Sequence, residues 1–300
     1  MAKAQQRETD LRLGLIIIGV VAAGFLALFL FGPSHDGPQD EQELEAATPS
    51  LPDQLTDAPS REAITALQMA APGAYAELDI AAKLAITDGA DADELSLLLL
   101  EALFSQFRSQ AGAIKGAKSA DYQTIIAGLA TGLRSLDASG SDWCDGAHIA
   151  AYLSQNEQDL VPSLLAEFPY GSPQYDWAME WMASVLTVAR TARREPQRWA
   201  RPTLRDETIL QQQGLALGSE QWGLALQVAA FANSEGVSYA RMQEVIAGMD
   251  VCALGIAVET VSSRLPEDVR GRIWSDLMPE IMFGNTPYVM YRVTDYFFIG

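Results

Sequence analysis

The chain has 300 residues, with 20 Lys and Arg against 39 Asp and Glu and a formal net charge of −19. A field of that sign repels nucleic-acid phosphates and anionic lipid headgroups, so neither is expected as a general partner. Alanine and leucine are abundant and β-branched residues form no concentrated alternating runs, which favours an all-α fold.

The first element is an apolar run from Leu13 to Phe31 with no charged, polar or proline side chain. It is long enough to cross a bilayer as one helix. It is longer than a secretory h-region and ends in Phe29, Leu30, Phe31, Gly32 and Pro33, so an uncleaved signal-anchor is expected over 13–32. Lys3, Arg7 and Arg12 precede the run, and no Lys or Arg follows it until Arg61. The positive-inside rule then puts the stub 1–12 in the cytoplasm and everything after the span outside. The setting expected is a bacterial inner membrane with a periplasmic domain, since the chain is alanine-rich and carries no Asn-x-Ser/Thr sequon. Gly19, Ala23 and Ala27 recur at the small-xxx-small spacing, a candidate face for a homodimer of spanning helices.

Residues 33–60 carry five prolines, many acids and almost no large apolar groups, which reads as a flexible acidic, proline-rich linker. The multi-helix globular domain is expected over 61–300, with Ser60 capping a helix that starts at Arg61. Lys3, Arg7, Arg12, Glu8 and Asp10 precede the span, which leaves 17 basic and 37 acidic residues beyond it.

Further along, Gly89 marks a helix end and Asp91 or Asp93 the next start. The helix that follows holds Leu95, Leu97 to Leu100, Leu103, Phe104 and Phe107, apolar around more than half its circumference, so it should be central. Ser119 is expected to cap a helix over Tyr122 to Leu136. Ser172 before Pro173 is a strong start. Thr203 with Asp206 has the capping-box spacing, and Pro266, Glu267 and Asp268 mark another start. Trp222, Gly223, Ala229 and Phe231 echo a helical repeat but do not recur at a fixed period. The segment 284–300 is rich in aromatic and β-branched residues, which suits strand or extended docking as well as helix.

The two cysteines, Cys144 and Cys252, lie on the expected outer side, where a single disulfide is the simplest reading. His35 falls in the linker. His148, four residues after Cys144, is the one imidazole of the domain; a structural zinc needs four ligands and no second Cys/His cluster supplies them. There is no Gly-x-Ser-x-Gly elbow, no phosphate loop and no dinucleotide fingerprint, and none of Lys83, Lys115 and Lys118 follows a serine at the Ser-x-x-Lys spacing. No catalytic residue, metal site or cofactor is therefore assigned. Glu101 and Glu180, flanked by large hydrophobics, are the carboxylates that could titrate unusually.

The most unusual local feature is basic. Arg190, Arg193, Arg194, Arg198, Arg201 and Arg205 lie within sixteen residues, with Trp199 among them. Arg with Trp suits a docking patch for an acidic partner, a lipid headgroup or an envelope polymer; the structural alternative is that the arginines complement a helix dipole and pair with nearby acids. The expectation is an anchored, non-catalytic accessory, assembly or scaffolding subunit that binds other envelope or membrane proteins. Two alternatives stand beside it: an anchored cell-wall hydrolase with paired carboxylates, and a receptor for an anionic ligand at Arg190–Arg205.

Overall fold

The computed structural model describes residues 50–153, 155, 157–220, 244 and 247–283. Among them the domain is all-helical, with no strand. The helices are α1 (Leu51–Gln54), α2 (Ala58–Ala70), α3 (Pro72–Asp88), α4 (Ala92–Ile114), α5 (Ser119–Ala138), α6 (Gly146–Leu153), α7 (Glu157–Glu167), α8 (Pro173–Arg194), α9 (Leu204–Glu220), α10 (Val251–Arg264) and α11 (Glu267–Phe283). A 3-10 turn, Asp142–Cys144, leads into α6. No helix among the described residues is long and apolar enough to cross a membrane. The apolar run 13–31, with Gly19, Ala23 and Ala27, lies outside the described residues, as do His35, Trp222 and the segment 284–300.

The fold begins earlier than the expected start at residue 61. Leu51 and Leu55 expose none of their surface, so the end of the proline-rich stretch is packed onto the domain. Asp57, not Ser60, caps α2: its carboxylate accepts the Ser60 N–H at 2.7 Å, and Pro59 fits the first turn. Ser60 is buried, with its hydroxyl 3.0 Å from the Tyr175 hydroxyl of α8. A similar correction applies to Ser119, which is the first residue of α5 and accepts from Arg270 Nε at 2.9 Å, while Lys118 takes the cap position. The other starts fall where expected. Asp91 and Glu94 form a capping box on α4, Ser172 accepts the Tyr175 N–H of α8, and Gly89 closes α3 with φ 92°.

α4 lies at the centre, packed against α1, α2, α3, α7, α8 and α11. Its buried face carries Leu95, Leu99, Leu100, Leu103, Phe107 and Ile114. α2 and α8 run side by side in the same direction. Ser60 meets Tyr175 near their starts, and the Ala70 carbonyl accepts Arg193 at 3.1 Å near their ends. α5 runs antiparallel to α8. Trp177 Nε1 donates to the Gly128 carbonyl and Trp181 Nε1 to the Ile125 carbonyl, each at 2.9 Å. The glycines of α5 make room for these rings: a Cβ on Gly132 would lie 1.9 Å from the Trp177 indole, and one on Gly128 would lie 3.3 Å from Trp181. α5, α10 and α11 are joined by a polar chain in which Trp274 Nε1 donates to Ser262 Oγ at 3.0 Å and Ser262 donates to Gln123 Oε1 at 2.8 Å.

Cys144 and Cys252 form a disulfide with Cα atoms 4.9 Å apart, within the usual range, across 108 residues of sequence. It ties the 3-10 turn to α10. Beside it Asp145 and Asp250 form an antiparallel bridge, and Gly146 N donates to the Met249 carbonyl at 2.8 Å.

Candidate interaction surface

Helix α8 ends at Arg194, and α9 begins at Leu204. Between them, Pro196–Thr203 crosses the surface with no helix, turn or bend, forming a strap. Its supports are specific. The end of α4 is closed by Tyr122, whose hydroxyl donates to the carbonyls of Ile114 at 2.8 Å and Lys115 at 3.0 Å. The next two carbonyls hold the strap: Gln197 N donates to Gly116 at 2.8 Å, and Trp199 Nε1 donates to Ala117 at 2.8 Å. Pro196 packs on Gly116, where a Cβ would meet it at 3.2 Å. The Trp199 ring lies over Gly271 of α11, where a Cβ would come within 2.2 Å of it.

The far end is clamped by charge. Asp206, only 1% exposed, accepts Arg272 Nε at 2.9 Å and Nη2 at 2.7 Å, together with Thr203 N and Oγ1. Burial works to raise the Asp206 pKa, but the Arg272 and Thr203 hydrogen bonds outweigh it and hold the carboxyl below the ordinary range. The capping box expected at Thr203 and Asp206 is present, with a guanidinium locking it to α11.

The seven candidate residues divide on this frame. Arg193 is used by the fold: its guanidinium donates to the last carbonyl of α2, on Ala70, and to Gln110 Oε1. Trp199 is half-buried and serves as the strap's pin. Arg190 is half-buried, with a Nε that is enclosed and lacks a hydrogen-bond acceptor. Arg194, Arg198, Arg201 and Arg205 are exposed and make no hydrogen bond or ion pair with any described residue. The helix dipole accounts for Arg193 and Arg194 in the last turn of α8. It cannot account for Arg198 and Arg201, which are in no helix, and it opposes Arg205 in the first turn of α9. Leu204, 63% exposed, sits beside Arg205. Lys118 pairs with Glu195 at 3.1 Å at the strap's entry, and Lys115 is exposed next to Gly116. The exposed arginines thus form a basic ridge along the strap and the two helix ends it joins, with the bare Leu204 beside Arg205, on an acidic domain.

The other candidates do not join this ridge. Glu180 is exposed on α8, and Glu101 is half-buried on α4. Cys144 is bonded to Cys252 and has no free thiol. His148 packs edge-on against Trp143, with ring centres 5.2 Å apart, and its Nε2 lies 3.4 Å from Glu167 Oε2. No group of three or more His, Cys, Asp or Glu among the described residues is placed to hold a metal ion. A pocket of about 80 Å³ beside the disulfide is almost entirely apolar, with Phe104, Leu133, Trp143, Phe168, Trp177 and Trp181 in its wall and no arginine. It is smaller than the roughly 150 Å³ cavity that admits benzene.

Sequence reasoning missed one pair. Asp57 and Asp176, at the starts of α2 and α8, each have an enclosed carboxylate oxygen with no hydrogen-bond partner. Burial first, and the charge of Asp57 second, push the Asp176 pKa up. Asp57 caps α2 and Asp176 lies in the first turn of α8; the parallel packing of α2 and α8 brings the two helix starts together. No family model, curated protein or solved structure matches the chain.

Proposed function

We propose that the protein is a single-pass, inner-membrane-anchored accessory or assembly subunit. Its helical domain stands outside the cytoplasm and docks other envelope proteins through the ridge formed by Arg194, Arg198, Arg201 and Arg205. The observation that carries this reading is that the four guanidinium groups have no partner among the described residues, and yet Arg198 and Arg201 are mounted on a strap fixed at both ends, with Arg194 and Arg205 on the helices it joins. Like charges held together on a surface repel one another, and an acidic partner relieves that repulsion. A support that removes side-chain and loop freedom before binding lowers the cost of association. The bare Leu204 supplies an apolar contact beside the charges.

The anchor comes from the sequence, and alkaline carbonate extraction tests it: the protein should stay with membranes. Docking is tested by a photo-crosslinking amino acid at Ala200, exposed at the middle of the strap, in the full-length chain in cells. Adducts at position 200 that are absent with the same group at Asp88, on the exposed end of α3, support the reading. Equal adducts at both positions, or none at 200, overturn it.

A further inference from the structure

We infer that the ridge takes a short, extended, acidic segment of its partner, paired main chain to main chain along the strap. This rests on the docking reading above and specifies the class of partner. From Arg198 to Arg201 no backbone group hydrogen-bonds to another described residue. The run is flanked by Pro196 and Pro202, has no turn or bend, and is fastened from behind by Gln197 N and the Trp199 ring. An unbent stretch with free N–H and C=O groups is a template for strand addition. The prolines limit it to residues 197–201, about 17 Å of chain.

Charge selects what can pair there. Arg198 and Arg201 keep two copies of this strap from pairing with each other and favour an acidic strand. The surroundings exclude broad polyanions. With 37 acidic and 17 basic residues beyond the apolar run, a nucleic acid or an anionic bilayer would set most of its charge against an acidic surface. A segment about as long as the strap meets the arginines and little else.

The test uses the full-length protein in neutral detergent with a fluorescein-labelled peptide of alternating glutamate and valine. Its comparator is the same peptide with alternate backbone amides N-methylated, which keeps every charge and blocks main-chain donation. At low salt the unmethylated peptide should bind, the methylated one about tenfold more weakly, and both should weaken with added salt. R198A/R201A should abolish binding of either peptide. G271A, which displaces Trp199 and leaves every arginine in place, should weaken only the unmethylated peptide. Equal binding of the two peptides, no binding of either, or arginine-dependent binding of phosphatidylglycerol vesicles in preference to both overturns the inference. If position 200 still crosslinks to a cellular protein while neither peptide binds, the docking reading stands and the extended-strand inference falls.

Discussion

Trp177 and Trp199 are held by the same device. Each indole lies over a glycine, Gly132 or Gly271, and each Nε1 donates to a backbone carbonyl, that of Gly128 or Ala117. Around Trp177 the device closes the α5–α8 seam, beside an apolar pocket. Around Trp199 it fixes a segment that displays Arg198 and Arg201, which pair with no described residue. Identical local chemistry thus serves cohesion in one place and display in the other. The difference lies in what the pinned element carries: a core seam is its own result, whereas Arg198 and Arg201 on the strap bond to no described residue and lie at no helix end.

Perturbing the cohesive region should cost the most. Replacing Cys144 and Cys252 with alanine opens a loop of 108 residues and should cost about 4–5 kcal/mol in urea unfolding; a cost near zero would mean the α6–α10 contact holds without the bond. Next in size is Arg272→Leu, which strands the buried Asp206 carboxylate and should cost about 3–5 kcal/mol near neutral pH. Asp206 has a depressed pKa, so its contribution is complete above the unfolded-state value and is lost as pH falls through the folded one. The gap between Arg272→Leu and the parent should therefore narrow in acid.

The paired glycines sharpen the comparison directly. Gly132→Ala and Gly271→Ala should each cost about 1–3 kcal/mol through overpacking. Only Gly271→Ala should speed tryptic cleavage after Arg198, since Pro202 blocks cleavage after Arg201. Equal protease sensitivity in the two variants would show that Trp199 does not hold the strap.

The smallest effect is expected at Asp176. Its pKa is raised, so the stability it contributes is present below the unfolded value and lost as pH rises through the folded one. Asp176→Asn should be as stable as the parent or slightly more so at pH 7, by on the order of 0.5 kcal/mol, and the advantage should vanish in acid.

The legible parts of the fold were local. Asp91, Ser172 with Pro173, Thr203 with Asp206, and Gly89 mark helix ends through contacts three residues away or through a left-handed glycine, and these are written in adjacent residues. Ser60 and Ser119 misled because their hydroxyls are used across helices, by Tyr175 and Arg270. The arginine cluster was visible as composition, but its division was not: Arg193 is claimed by Ala70 and Gln110, and Trp199 needs Gly271. Those pairings depend on how α2, α4, α8 and α11 cross, which no local pattern encodes. The disulfide was inferred from compartment, and its geometry came only with the fold.

Docking of a partner is the role proposed for the exposed arginines, of which only Arg194 also serves the fold, through the α8 dipole. The most direct measurement of that role is co-purification in mild detergent of tagged full-length protein against the variant R194A/R198A/R201A/R205A, with both urea midpoints recorded. The expected result is loss of the captured protein at an unchanged or slightly raised midpoint. Undiminished capture, or a fall in the midpoint large enough to explain its loss, would contradict the account.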